Sequence, residues 1–227
     1  MRARKRFGFA LICYSLLFVV LSAQPVAART ARLGAVARML TENAQELARY
    51  EWKARTEIRV AGEIVRSSLV RVDYDRMGMP VETPLPDEAA AKSGKKKMKK
   101  KVAAFYEELQ ALTDSYVALD PQRIQAALAQ AHAWEGQGEH GDQLHIQARG
   151  VIRDGDKLDL WIENATNLPQ RLEVLTSLEG EPVRLTTRFA QLAQGPSYAA
   201  ETVVETELKE KKMVVRTESF DHVQQDD

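Results

Sequence analysis

The sequence predicts an α+β fold: one long antiparallel sheet interrupted by a helical insertion. Three observations point there. About eight or nine runs alternate apolar and polar residues with a period of two, which marks half-buried strands. A stretch with a helical period separates the first three of these runs from the rest. Short connections rich in Gly, Pro and charge join neighbouring runs, so they are expected to pair as hairpins.

The chain opens as an export signal. Arg2, Arg4, Lys5 and Arg6 precede an almost wholly apolar run from Phe7 to Ala23, and Val26 and Ala28 stand at the minus-three and minus-one positions of a cleavage site. Residues 1–28 are therefore expected to be a signal peptide and residues 29–227 a single domain. An uncleaved anchor is the alternative, because about 17 apolar residues sit near the lower limit for spanning a bilayer. Cys13 follows Ile12 inside this run, so no lipid-modified cysteine is expected, and the mature chain has no other cysteine. Disulfides, thiol catalysis and cysteine metal sites are excluded together. Stability then rests on a hydrophobic core, and a chain of about 200 residues buries roughly 70% of its unfolded surface.

From Leu33 to Ala48, the apolar residues Leu33, Val36, Leu40, Ala44 and Leu47 recur at spacings of three and four, predicting a helix. The period then becomes two. Tyr50, Trp52, Ala54, Thr56, Ile58 and Val60 form the first strand, and after Gly62 the residues Ser68, Val70, Val72 and Tyr74 form the second. A turn around Gly78 leads to Val81, Thr83 and Leu85, where Pro84 and Pro86 confine the third strand to an edge.

A helical insertion is expected over residues 87–141. Its first part, KSGKKKMKKK at 92–101, holds seven lysines and no acid. Val102, Phe105, Tyr106, Leu109, Leu112, Tyr116 and Leu119 then share one helical stripe. Asp120 and Pro121 read as the cap and first turn of another helix with Ile124, Leu128 and Ala131 inside, running to about residue 134. Gly136, Gly138 and Gly141 read as a loop.

The last 85 or so residues read as a meander. Its strands are centred on Ile146, Leu160, Val174, Leu185, Thr202 with Val204, and a final run from Met213 to about Phe220. Asp154-Gly155, Glu179-Gly180 and Gly195-Pro196 mark turns between them.

Charge separates the segments further. The chain has 32 basic and 32 acidic residues; without the four basic residues of the signal, 28 face 32, and without the seven lysines of the run, 21 face 32. An acidic body behind an export signal argues against nucleic acid, and none is expected as a partner. Lys95, Lys96, Lys97, Lys99, Lys100 and Lys101 are candidates for contact with an anionic membrane surface, at up to about 1 kcal/mol each; a solvated linker is the plainer reading.

One stretch, DKLDLWIENATNLPQRLEVLTSLEGEPVRLTTRF, is more specific than its periodicity, with Leu160-Trp161-Ile162, Leu168-Pro169, Arg171 and Gly180. It resembles the LolA/LolB-like superfamily of periplasmic lipoprotein carriers. The YEWKARTEIRV strand and the VDYDRMGMPVETPL hairpin are similar to that layout as well. The resemblance implies a curved antiparallel sheet, an incomplete barrel covered on its concave face by helices, that holds acyl chains of lipids or lipoproteins in the periplasm. Trp52, Ile58, Val70, Val72, Phe105, Leu109, Leu160, Ile162 and Leu172 are the candidate lipid-cavity or core residues. Pattern alone leaves open whether the face under the helices is a cavity or a filled core.

Other motifs carry less. Gly136-Gln-Gly138-Glu-His-Gly141 spells GxGxxG but follows a helix rather than a strand. Ser197 after Gly195-Pro196 and Ser93 before Lys96 lack the surroundings of nucleophiles. His140 and His145, near Glu139 and Asp142, fit no common zinc spacing. Trp52, Trp134 and Trp161 read as core or sheet-lid contacts. The expectation is a monomeric, non-enzymatic lipid-binding or carrier-like protein without cofactor or metal; the alternative is an envelope interaction or sensor protein of the same fold that binds a protein partner.

Overall fold

The computed structural model describes residues 26–75, 80–86, 100–117, 121–138, 141–193, 195–208 and 210–225. Helix α1 (Val26–Leu47) leads into strands β1 (Tyr50–Val60), β2 (Glu63–Tyr74) and β3 (Pro80–Leu85). Helices α2 (Lys100–Val117) and α3 (Pro121–Ala129) follow. Then come β4 (His132–Gly138), β5 (Gly141–Arg149), β6 (Lys157–Glu163), β7 (Pro169–Leu178), β8 (Glu181–Gln191), β9 (Ser197–Leu208) and β10 (Lys211–Gln224). The expected signal up to residue 25, the Gly78 turn, the Asp120 cap and most of the lysine run lie outside the described residues.

The ten strands among the described residues form one open antiparallel sheet in the order β3-β2-β1-β10-β9-β8-β7-β6-β5-β4, not closed into a barrel. Each step follows the chain except two: β10 pairs with β1, and the connection through α2 and α3 carries the chain from one sheet edge to the other. Ala61-Gly62 joins β1 to β2 and Glu179-Gly180 joins β7 to β8, all four residues with positive φ (52°, 84°, 51° and 87°). Two-residue turns of this kind match the right-handed twist of the flanking strands.

The helical region is shorter than its periodicity predicts. α3 stops at Ala129, and His132–Gly138, expected as helix end and glycine loop, is strand β4. Pairing decides the outcome: Ala133 lies opposite Ile146 and Trp134 opposite His145. With His, Trp and two glycines in HAWEGQG, the segment has too little helical preference to resist a sheet edge offering a full ladder. The GxGxxG glycines thus sit in a β-hairpin, and the sheet has ten strands rather than eight or nine.

The core lies on one sheet face. Ile58, Val215, Val204, Leu185, Val174, Leu158 and Ala148 form one cross-strand row, and all are buried. Leu33 and Val36 of α1, Phe105, Leu109, Leu112 and Tyr116 of α2, and Leu128 of α3 join the same cluster. Each such side chain contributes about 1.5–3 kcal/mol on full burial.

Candidate functional site

The next row on that face changes character halfway. Ser68, Thr56, Thr217, Thr202 and Thr187 follow one another across β2, β1, β10, β9 and β8, after which the row continues as Leu172, Leu160 and Ile146. The threonines satisfy each other: Thr56 Oγ1 is 2.9 Å from Thr217 Oγ1, and Thr187 Oγ1 is 3.1 Å from Thr202 Oγ1. One half of the face therefore carries hydroxyls and the other hydrocarbon.

Two chambers between sheet and helices follow this division. The larger, about 800 Å³, is lined by Thr56, Ser68, Val70, Val72, Thr202 and Thr217 of the sheet and by Tyr106, Leu109, Gln110 and Asp114 of α2. The smaller, about 330 Å³, is apolar. Ile146, Leu158, Leu160, Leu172 and Phe189 of the sheet line it, together with Leu40, Ala44 and Leu47 of α1, Leu128 of α3 and Tyr116 of α2. Trp52, Ala199 and Ser219 border both chambers, so the two adjoin. Both volumes fall within the roughly 300–1,000 Å³ of small-molecule sites.

Two β-bulges shape the junction. Along β10, Glu51 lies opposite Val223 and Lys53 opposite Phe220, so two residues, Asp221 and His222, oppose Trp52. Asp221 adopts φ 53°. An extra residue in a strand re-aims the side chains beyond it, and His222 lands on the face of Trp52, with ring centroids 5.9 Å apart, and against Tyr198 at 3.9 Å. Its Nε2 is buried with no hydrogen-bond partner. Desolvation lowers its pKa from 6.5, with the nearby Asp221 charge opposing. The second bulge, at Ala200–Glu201, pairs Phe189 with Ala199, so Ala199 rather than Ala200 joins Thr202 on the inner face.

The helices are latched by polar contacts. Tyr116 Oη donates to Asp156 Oδ2, which also accepts the Arg153 N–H at 2.7 Å; both Tyr116 and Asp156 are 2% exposed. Burial, and then this hydrogen bond, raise the Tyr116 pKa far above 10.0, so the hydroxyl stays a donor. Asn43 of α1 clamps the start of β9 twice, donating to Ser197 O at 2.8 Å and accepting from Ser197 N at 2.7 Å. Arg32 bridges Glu135 and Asn164 from the same helix.

Of the residues proposed from sequence, Val70, Val72 and Leu109 line the larger chamber, Leu160 and Leu172 the smaller, and Trp52 both. Ile58, Phe105 and Ile162 line neither and belong to the filled core. Lys100 and Lys101 begin α2 and are exposed, whereas Lys95, Lys96, Lys97 and Lys99 lie outside the described residues. Sequence reasoning missed the hydroxyl row, visible as in-phase threonines once the register is known. It also missed His222 and Ala199, which no alternation rule reaches because each lies beyond a bulge.

Trp134 and Trp161 correct the expectation of core or lid contacts. They lie on the opposite sheet face, Trp134 44% exposed, with His145 between them at 4.0 and 4.5 Å and Arg171 over Trp161 at 5.4 Å. His145 Nε2 is 2.9 Å from Asp159 Oδ1, which also accepts from Gln147. Desolvation would raise the Asp159 pKa, but hydrogen bonds from Gln147, Lys157 and His145 outweigh it and hold it below 3.8. His140 lies outside the described residues, and among the described ones no group of three His, Cys, Asp or Glu could hold a metal ion. Among the described helices none is long and apolar enough to cross a membrane.

No family model matches the chain, and no curated protein does. A DUF1329 family protein from Desulfovibrio piger is similar in structure, with TM-score 0.50 and 13% identity over 89% of this chain and 94% of that one. A LolA superfamily protein from Nitrosomonas europaea has TM-score 0.37 and 13% identity over 84% and 94% of the two chains. An outer membrane lipoprotein-sorting protein domain from Vibrio parahaemolyticus has 0.42 and 12% over 82% and 91%. At these identities the likeness is one of fold, and the first of the three carries it.

Proposed function

We propose that this chain is an exported, non-enzymatic lipid-binding protein of the cell envelope that holds an acyl chain in the apolar chamber, with the helices as its cover. The observation that carries this reading is the unfilled space of about 330 Å³ walled by leucines and aromatics beneath α1, α2 and α3. Each methylene transferred from water contributes about 0.8 kcal/mol, so ten of them supply about 8 kcal/mol before ordering costs. The export-signal pattern of residues 1–28 supports a periplasmic location, and lipoprotein acyl chains are ligands of the same chemistry.

The test is native mass spectrometry of the protein isolated from the envelope fraction without detergent, with organic extraction of what is bound. Stoichiometric lipid or acylated protein is the expected result. An empty protein that also fails to take up added fatty acid overturns the reading. It would favour an envelope interaction protein instead, for which the exposed Trp134, on the outer face of edge strand β4, is the supporting observation.

A further inference from the structure

The larger chamber differs from the apolar one in a way that bears on what accompanies the acyl chain. It adjoins the apolar chamber at Trp52, is lined by Ser68, Thr56, Thr217 and Thr202 of the hydroxyl row, and has charged groups from three elements: Arg66 of β2, Glu82 of β3 and Asp114 of α2. These surround one ring. The Arg66 guanidinium lies 5.8 Å from the Tyr106 centroid, while Glu82 and Asp114 both act electrostatically on the Tyr106 hydroxyl. Partial burial and then the Glu82 charge raise the Asp114 pKa above 3.8, so the two carboxylates oppose each other when both are ionised. A cation between them removes that repulsion. A chamber lined by one guanidinium and two carboxylates beside Tyr106, next to a hydrocarbon chamber, suits a ligand with both charges and a tail.

Resting on the acyl-binding reading, we infer that the larger chamber receives the head group of a zwitterionic aminophospholipid. Its phosphate pairs with Arg66, its ammonium sits between Glu82 and Asp114, its ester region lies along the threonines, and an acyl chain passes Trp52 into the apolar chamber. An anionic head without an amine would meet Arg66 but would leave Glu82 and Asp114 facing added negative charge, which disfavours it. The selectivity thus comes from repulsion of one class as much as attraction of the other.

The experiment incubates the mature protein, stripped of lipid, with vesicles of equimolar phosphatidylethanolamine and phosphatidylglycerol bearing the same acyl chains. The bound species are counted by native mass spectrometry, and palmitate is tested in parallel. At least a fivefold excess of the ethanolamine lipid is expected. The variant Glu82→Gln with Asp114→Asn, folded by circular dichroism, should bring the ratio near one while retaining palmitate. A wild-type ratio of one or below, or an unchanged ratio in the double variant, overturns the inference. If palmitate still binds in those cases, the apolar chamber keeps its assignment; if neither phospholipid nor palmitate binds, both readings fall.

Discussion

Replacing Tyr116 by Phe removes one oxygen from the latch between α2 and the loop joining β5 to β6, and leaves the ring in the chamber wall. The hydroxyl it removes donates to Asp156, and both residues are 2% exposed, so water cannot replace the bond. Asp156 keeps the Arg153 N–H at 2.7 Å and is therefore not left without any donor. A hydrogen bond to a charged group contributes about 1.5–3 kcal/mol. For a domain of 150–250 residues, 1 kcal/mol moves the midpoint of thermal unfolding by about 2–4 °C, so Tyr116→Phe should lower it by about 3–12 °C. Urea unfolding followed by circular dichroism gives the free energy directly, and fatty-acid uptake measured well below the midpoint should stay unchanged. The double variant with Asp156→Ala should cost much less than the sum of the two single changes, because both remove the same bond. A Tyr116→Phe cost under about 0.5 kcal/mol, or strict additivity in the cycle, refutes the latch.

Asn43→Ala leaves the buried Ser197 N–H unpaired and should cost about 1–3 kcal/mol, with faster hydrogen exchange at that amide as the specific sign. Ala148→Phe projects a ring from β5 into the apolar chamber, where space exists to take it. It should lower palmitate uptake at least tenfold, with stability within about 1.5 kcal/mol of wild type; retained uptake would mean that the chain binds elsewhere. His222 has a folded-state pKa below 6.5, so the unfolded chain takes up its proton first as the pH falls. Its contribution is present above 6.5 and declines as pH drops from there toward the folded value. Urea midpoints at pH 7.5 and 5.5 should therefore fall further for wild type than for His222→Gln, and equal falls would contradict that.

Much of the sheet is legible because alternation is a local property. Trp52, Ala54, Thr56 and Ile58 announce the inner face of β1, and the register confirms that Val72, Val70 and Ser68 meet the first three of them. The prolines of β3 correctly mark an edge. What alternation could not reveal is a phase change: Asp221 and Ala200 each insert one residue into a strand, and every side chain beyond them changes face. His222 and Ala199, which build the junction of the two chambers, are both products of such a slip. β4 was missed for a different reason, since its partner β5 supplies the ladder and its own sequence looks like a helix running into glycines. Trp134 and Trp161 read as core or lid contacts, whereas their phase, opposite to that of Leu160 and Ile146, puts them outside. The candidate site was half legible: the leucines and Trp52 lie in apolar phase, but the space between them depends on helix packing that no strand pattern encodes.

The pairing of β10 with β1 joins residues 50–60 to residues 213–224, about the widest sequence separation the domain contains. Until β10 docks, β1–β3 and β4–β9 are two sheets of three and six strands, linked through the helices but sharing no ladder. Contacts this distant are slow to form because the loop entropy is lost before the pairing is gained. The two halves of the junction, Trp52 on one and Ala199 on the other, meet only through the final strand. A chain that emerges progressively from its N-terminus would therefore stay open and empty until its last strand appears, and would assemble both chambers in a single late step.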